Sequence, residues 1–259
     1  MNRRSFMAAG LAGLTATEAL TASDNTTASS SRQFFELRQY YLGTGANKGR
    51  VGKFLQEAGI PAMNRIGINP VGVFEAMYGP NQPTLYVLMV HPSLESVLNA
   101  SARLLEDDEL RTKGAGFIDA SLSDPGYVRY ESSLLAAFSH MPQIVPPAFE
   151  RRIFELRIYE SHSLKAAKKK IEMFNQGGEI AIFKKTGLNP VFFGETLIGR
   201  RQPNLTYMLA FEDLADRDQR WQVFREHPDW QKLRRDPAYR DTVSNITDII
   251  LRPTSYSQV

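Results

Sequence analysis

Apolar and polar residues alternate along FFELRQYY, residues 34–41, and alternate again along IFELRIY, residues 153–159. A period of two is the pattern of a β-strand. After the first strand the period changes. Val51, Phe54, Leu55, Ala58, Ala62, Met63 and Ile66 recur at helical spacing, with Gly67 as a stop and Pro70 barring continuation. Strands are predicted over 71–78 and 85–90, separated by the turn GPNQP. Pro92 and Ser93 open a second helix with Leu94, Val97, Leu98, Leu104 and Leu105 on one side. A last strand follows near 127–135. The order is β-α-β-β-α-β.

The same order returns. A strand over 153–159 precedes a helix carrying Leu164, Ala167, Ile171, Phe174, Ala181 and Ile182. Strands over 191–198 and 205–211 lead to a helix with Leu214, Trp221 and Phe224, which turns at His227-Pro228. The final strand spans about 245–252. Identity accompanies the pattern. Phe35-Glu36-Leu37-Arg38 recurs as Phe154-Glu155-Leu156-Arg157, Gly67-Ile68-Asn69-Pro70 as Gly187-Leu188-Asn189-Pro190, and Gln82-Pro83 as Gln202-Pro203. The offsets are 119, 120 and 120 residues, which is domain-sized and marks two homologous units. The division is 1–32, 33–135 for the first unit, a linker over 136–151 stiffened by Pro142, Pro146 and Pro147, and 152–259 for the second unit.

A β-α-β-β-α-β unit is the ferredoxin-like split motif, an antiparallel sheet with helices on one face. The other face needs a cover. The expected fold is α+β: two tandem ferredoxin-like units whose open faces meet in one closed barrel, helices outside. Exposed edges or helices leave room for a homo-oligomer.

Composition narrows the chemistry. The 259 residues are 42% hydrophobic and 23% charged, ordinary for a globular chain with a core. The formal net charge is +3, and the one basic run, Lys168-Lys169-Lys170, reads as a solvated helix face. No nucleic-acid partner is indicated. The absence of cysteine excludes disulfides, thiol catalysis and thiolate metal sites. At the N-terminus, Arg3 and Arg4 precede a short Ala/Gly-rich apolar run and a Ser/Thr-rich tether. This resembles a twin-arginine export signal, so a periplasmic or extracellular location in a prokaryote is expected, with no membrane span after signal removal.

The repeated strand carries the densest chemistry. Phe35, Leu37 and Gln39 share one face, and Glu36, Arg38 and Tyr40 the other. In the second copy Phe154, Leu156 and Ile158 oppose Glu155, Arg157 and Tyr159. The apolar face is expected to pack under the helices, which turns the Glu-Arg-Tyr faces toward the barrel interior. Two readings follow. The charges form an ion-pair lock that holds the units in register. Alternatively they line a site, where Arg38 or Arg157 binds an anionic or carbonyl group and Glu36 or Glu155 acts as base. On the lock reading, Arg157→Met strands a buried glutamate at a cost of roughly 3–5 kcal/mol. Near-identical copies suit a symmetric structural role, whereas sites diverge between duplicated units.

Glu75 and Glu195 hold matching places on the second strands and are further candidates for the same network. Asn69 and Asn189 read as turn residues before proline. His91, His140, His162 and His227 are scattered, and no two have metal-ligand spacing. His162 and His227 are weak candidates for cofactor binding, His227 reading first as a helix cap. No metal site is indicated. The glycine-rich loop 43–49 is a weak phosphate signal, since its counterpart SHSLKA has no glycine. No nucleotide fingerprint or nucleophile motif is present.

The paired FELRQY and FELRIY strands, both G-[IL]-N-P turns and the late EHPDWQKLR segment resemble the NIPSNAP family over residues 33–252. That resemblance implies the dimeric α+β barrel architecture and no established catalytic residues. Relatives elsewhere in the superfamily bind haem or act as small monooxygenases and isomerases. The expectations are therefore a small-molecule-binding barrel, a filled and salt-bridged interaction module, or a haem-binding or oxygenase/isomerase-type enzyme.

Overall fold

The computed structural model describes residues 31–43, 47–78 and 83–259. Arg3, Arg4 and nearly all of the tether lie outside the described residues, as do Gln82, most of the GPNQP turn and part of the glycine-rich loop.

The first unit begins with β1 (Phe34–Tyr41) and α1 (Asn47–Phe54). A π-helical turn (Leu55–Gly59) joins α1 to α2 (Ile60–Arg65). Then come β2 (Val71–Ala76), β3 (Thr84–His91), α3 (Leu94–Leu105), α4 (Asp108–Ile118) and β4 (Arg129–Ala137). The second unit has β5 (Ile153–Glu160), α5 (Leu164–Phe174), α6 (Glu179–Lys185), β6 (Asn189–Ile198) and β7 (Asn204–Phe211). It closes with α7 (Leu214–Glu226), α8 (Pro228–Leu233) and β8 (Asn245–Pro253). Local signals set the helix ends. The side chains of Ser93, Ser163 and Asp213 cap α3, α5 and α7 by accepting backbone N–H bonds. Gly67 and Gly187 follow α2 and α6 at φ 84° and 78°, a conformation that glycine adopts without strain.

The strands close into one antiparallel barrel in the order β1-β3-β2-β8-β5-β7-β6-β4. The units join where β2 meets β8 and where β4 meets β6. The expected architecture is observed. The expected facing of the repeated strand is not. Register pairs Phe35 with Val90 and Leu135, and Phe154 with Ala210 and Leu251. These side chains form a single buried cluster with Leu156, Phe74 and Phe192, drawn from both units, and it is the barrel interior. Tyr40 instead packs with Val51, Leu55 and Met63 of the helical layer. The Glu-Arg-Tyr faces therefore lie under the helices, and the Phe-Leu faces line the barrel.

The reason is geometric. In a closed barrel covered by helices both strand faces are buried, so alternation alone does not orient them. An eight-stranded barrel is just wide enough for side chains to fill, and large apolar groups fill it here. Phe35 stands 4.9 Å from Phe192, and Phe74 stands 4.9 Å from Phe154. The second strands swap large and small positions: Gly72 and Phe74 on β2 match Phe192 and Gly194 on β6. A Cβ on Gly72 would come within 2.7 Å of the Phe74 ring, and one on Gly194 within 2.9 Å of Leu135. Ile144 and Phe149 of the linker and the buried Val259 pack against this interior cluster.

Helix α3 also departs from expectation. Leu94, Leu98 and Leu105 are exposed, and its buried position is Ala100. The helices α4, of 11 residues, and α8, of 6 residues, add a further helix to each unit; apolar spacing left α4 unmarked, while the His227 cap marked the start of α8.

Candidate functional site

The interior cluster leaves a cavity of about 260 Å³. Its walls continue the inward-facing rows of the strands: Leu37 and Gln39 of β1, Tyr86 of β3, Leu156 and Ile158 of β5, Thr206 of β7, Thr247 and Ile249 of β8. Arg200 and Arg201, from the turn between β6 and β7, complete the rim. That turn depends on Gly199, at φ 159°, where a Cβ would sit 2.5 Å from the Ser133 hydroxyl. Close approach of the turn to β4 brings Arg200 to Glu131. Arg201 has a left-handed φ of 57°, uncommon for a non-glycine residue.

The rim is hydrogen-bonded. Gln39 Nε2 donates to the Tyr86 hydroxyl at 2.9 Å. The Tyr41 hydroxyl donates to Glu131 at 2.9 Å, and Arg200 Nη1 donates to both Glu131 and Tyr41. Arg201 Nη1 donates to Thr247 Oγ1 at 2.6 Å. Burial pulls the Glu131 carboxyl upward, but the Tyr41 and Arg200 hydrogen bonds outweigh it and hold Glu131 below the usual range. Burial, with the nearby Tyr41, pushes the Tyr86 hydroxyl up to about 12 against the pull of Arg201. Tyr86 is therefore a neutral donor at ordinary pH, and Glu131 is an ionised acceptor and a weak base.

The two units contribute unequally. By repeat and register Gln39 matches Ile158, Tyr86 matches Thr206, Glu131 matches Thr247 and Ser133 matches Ile249. At these matched positions the first unit supplies the amide, phenol, carboxylate and Ser133 hydroxyl, and the second supplies Thr206, Thr247 and aliphatic groups, while Arg200, Arg201 and Asp248 of the second unit add the remaining charge.

The residues singled out by the repeated strand form two separate networks under the helices. In the first unit Arg38 Nε donates to Glu36 at 2.6 Å, and Ser132 donates to the same carboxylate at 2.6 Å. Arg38 also lies 3.5 Å from the Tyr40 hydroxyl. The fully buried His91 sits 3.7 Å from Glu36 through Nε2. Burial works to raise the Glu36 pKa, but His91, Arg38 and Ser132 bring it down to about 2. In the second unit Arg157 donates to Glu155 at 2.6 Å and to Asp248 at 2.9 Å. Arg217 of α7 donates to both Glu155 oxygens at 2.9 and 2.8 Å, and Trp221 Nε1 donates to it at 2.7 Å. Tyr159 accepts a hydrogen bond from the Tyr207 hydroxyl at 2.9 Å. Burial and the adjacent Glu155 carboxylate push Asp248 up to about 6.

The structure thus brings Glu36, Arg38 and Tyr40 together, and Glu155, Arg157 and Tyr159 together, but neither set lines the cavity. Trp221 packs against Phe183 and Phe224 as expected of a core aromatic, and it also serves Glu155. Glu195 is tied to Lys168 at 2.6 Å, and Glu75 lies in register with Arg252. His162 is exposed at the turn before α5. His227 caps α8, its Nδ1 accepting from the Asp229 N–H at 3.2 Å. Neither histidine lines the cavity. Among the described residues no cluster of His, Asp and Glu is placed to hold a metal ion, and no helix is long and apolar enough to cross a membrane. Sequence patterning does not single out Gln39, Tyr86, Arg200, Arg201 or Thr247. The signal that marks most of them is contrast between copies at inward-facing positions.

Fold and site together define a tandem α+β barrel, closed by two ferredoxin-like units in one chain and carrying a cavity in its interior. The NIPSNAP family model matches residues 35–119 and 154–258, one match per unit. The chain belongs to the NIPSNAP family. A proposed monooxygenase of Lactobacillus acidophilus NCFM is similar over 86% of this chain and 94% of its own, at 9% identity and a TM-score of 0.58. An anthrone oxidase-like protein is similar over 87% of this chain and 93% of its own, at 9% identity and a TM-score of 0.50. These two share the fold. An uncharacterized NIPSNAP-like domain protein from Burkholderia xenovorans is 26% identical over 43% of this chain and 92% of its own, with a TM-score of 0.38. No curated protein matches the chain.

Proposed function

We propose that this protein is an exported small-molecule-binding barrel whose ligand occupies the cavity above the phenylalanine-filled core. One observation carries the reading. Apart from Leu37 and Leu156, the matched inward-facing positions that line the cavity differ between the two copies, as at Gln39 and Ile158, Tyr86 and Thr206, Glu131 and Thr247, and Ser133 and Ile249, while the Glu-Arg-Tyr positions under the helices are kept. A structural lock suits symmetry, and a ligand that is itself asymmetric suits divergent walls. The cavity has the composition of a ligand site, apolar walls with a few placed polar groups, and at about 260 Å³ lies just below the usual ~300–1,000 Å³ range, which suits a small ligand. Of its two carboxylates, Glu131 is held ionised by its partners and is a weak base, and Asp248 is tied to Arg157 and Arg217 on the helix side, an arrangement that favours binding over proton abstraction.

Native mass spectrometry of the protein purified from its own host tests this. The expected result is an adduct mass that disappears in Thr247→Phe, where the ring takes the ligand's space. An adduct that survives Thr247→Phe would move the site elsewhere. A bare chain mass that no amphiphile in a panel shifts would sink the proposal and favour the interaction-module reading. The fold shared with the anthrone oxidase-like protein supports screening aromatic compounds first.

A further inference from the structure

The cavity wall has a charge left over. Two carboxylates and two guanidiniums surround it: Glu131, Asp248, Arg200 and Arg201. Glu131 is engaged by Arg200 and Tyr41. Asp248 is engaged on the helix side by Arg157 at 2.9 Å and Arg217 at 3.4 Å. Arg201 is bonded to the neutral Thr247 hydroxyl, and among the described residues it has no carboxylate at ion-pair distance. Its guanidinium still has donors to offer, since a guanidinium carries five N–H groups in a planar fork.

We propose that Arg201 is the anchor for a carboxylate, and that the ligand is a small monocarboxylate with an apolar body. This rests on the cavity being the ligand site. The arrangement supplies each part of such a molecule. Arg201 matches a carboxylate through two parallel N–H···O bonds, a geometry that lysine does not reproduce. Tyr86 stays protonated and is a donor for a second polar atom. Leu37, Leu156, Ile158 and Ile249 offer the apolar surface for the body of the ligand. A cationic ligand is disfavoured, because both nearby carboxylates are already neutralised by arginines. A neutral ligand gains nothing from the Arg201 charge.

The test compares phenylacetate with phenylacetamide, equal in shape and different in charge, by calorimetry and by NMR of the Thr206 and Thr247 amides. Phenylacetate is expected to bind at least tenfold more tightly than the amide and to shift both signals. Arg201→Met is expected to lower phenylacetate affinity to that of the amide and to leave the amide unchanged. Arg201→Lys keeps the charge without the fork and is expected to fall between them. Arg201 is an exposed rim residue, so both variants should fold, which circular dichroism checks. Equal binding of acid and amide, unaffected by Arg201→Met but abolished by Thr247→Phe, would overturn the carboxylate assignment and leave the cavity as a ligand site. Binding that persists in Thr247→Phe, or no shift at either amide with either compound, would overturn both.

Discussion

Gln39 and Ile158 occupy the same position on the two repeated strands, and both face one cavity. Two residues before each, Leu37 and Leu156 are identical and line the same space. Along these two strands the barrel is therefore symmetric at its apolar positions and asymmetric where the polar group begins. Gln39→Leu should extend the symmetric part. It removes the donor to Tyr86 and should cost about 1 kcal/mol of stability, the net value of one neutral hydrogen bond. Urea unfolding measures the loss, and a change well above that value would mean that Gln39 packs as core.

The two copies of the Glu-Arg pair should respond differently to the same substitution. Glu36 has one guanidinium partner, Arg38, with Ser132 and His91 beside it. Glu155 keeps Arg217 and Trp221 when Arg157 is removed. Arg38→Met should therefore cost about 3–5 kcal/mol, the penalty of stranding a buried charge. Arg157→Met should cost about 1–2 kcal/mol, well below the value expected from the strand alone, since a charged hydrogen bond is lost but the glutamate stays paired. Thermal melts of the two variants rank them, and equal losses would show that the helix α7 partners contribute little.

Stability should depend on pH in opposite senses at two carboxylates. Glu36 falls from an ordinary 4.5 to about 2, so its contribution is present above pH 4.5 and is lost as pH falls toward 2. Asp248 rises from 3.8 to about 6, so the folded state holds its proton more tightly. Stability should then decline as pH climbs from 4 to 6, by about 1 kcal/mol after solvent screening of this partly exposed group. Chemical unfolding across pH 3–7 checks both arms. Asp248→Asn should flatten the upper one, and Glu36→Gln the lower one.

The repeat made much of this fold legible. Offsets of 119 and 120 residues, glycine stops and Asn-Pro turns sufficed for the element order and the barrel. The facing of β1 and β5 was not legible. Glu36 and Glu155 look costly to bury under helices until Arg217 and Trp221, which lie some sixty residues away on α7, are seen to meet Glu155. Long-range pairing of that kind leaves no local pattern. Arg200 and Arg201 were hidden for a similar reason, because a turn sequence does not say what it folds over. The contrast of Gln39 with Ile158 was in the sequence all along, and the barrel gives it meaning.

Export is a separate expectation and rests on Arg3 and Arg4. Replacing both with lysine should retain the protein in the cytoplasm of a host with a twin-arginine pathway. Cell fractionation reads the outcome, and unchanged export would remove the signal from consideration.

A last test concerns a pair that the repeat does not announce. Lys170 and Glu179 join α5 to α6 with a 2.7 Å contact, and both side chains are buried, so Lys170 departs from the solvated face expected of the basic run and only Lys168 and Lys169 remain on it. Lys170 also lies 4.6 Å from the Phe174 ring and 3.3 Å from the Met173 sulfur, so its surroundings are otherwise apolar. Burial raises the Glu179 pKa, and Lys170 is the first group opposing it. Lys170→Met should therefore leave a carboxyl that takes up a proton or destabilises the unit, at a cost of about 3–5 kcal/mol near neutral pH. The loss should shrink in acid, where the proton is supplied. Adding Glu179→Leu should recover most of it, because two apolar side chains of similar size replace the pair without stranding either charge. A double variant no more stable than Lys170→Met alone would show that the pair contributes through geometry that leucine and methionine do not restore.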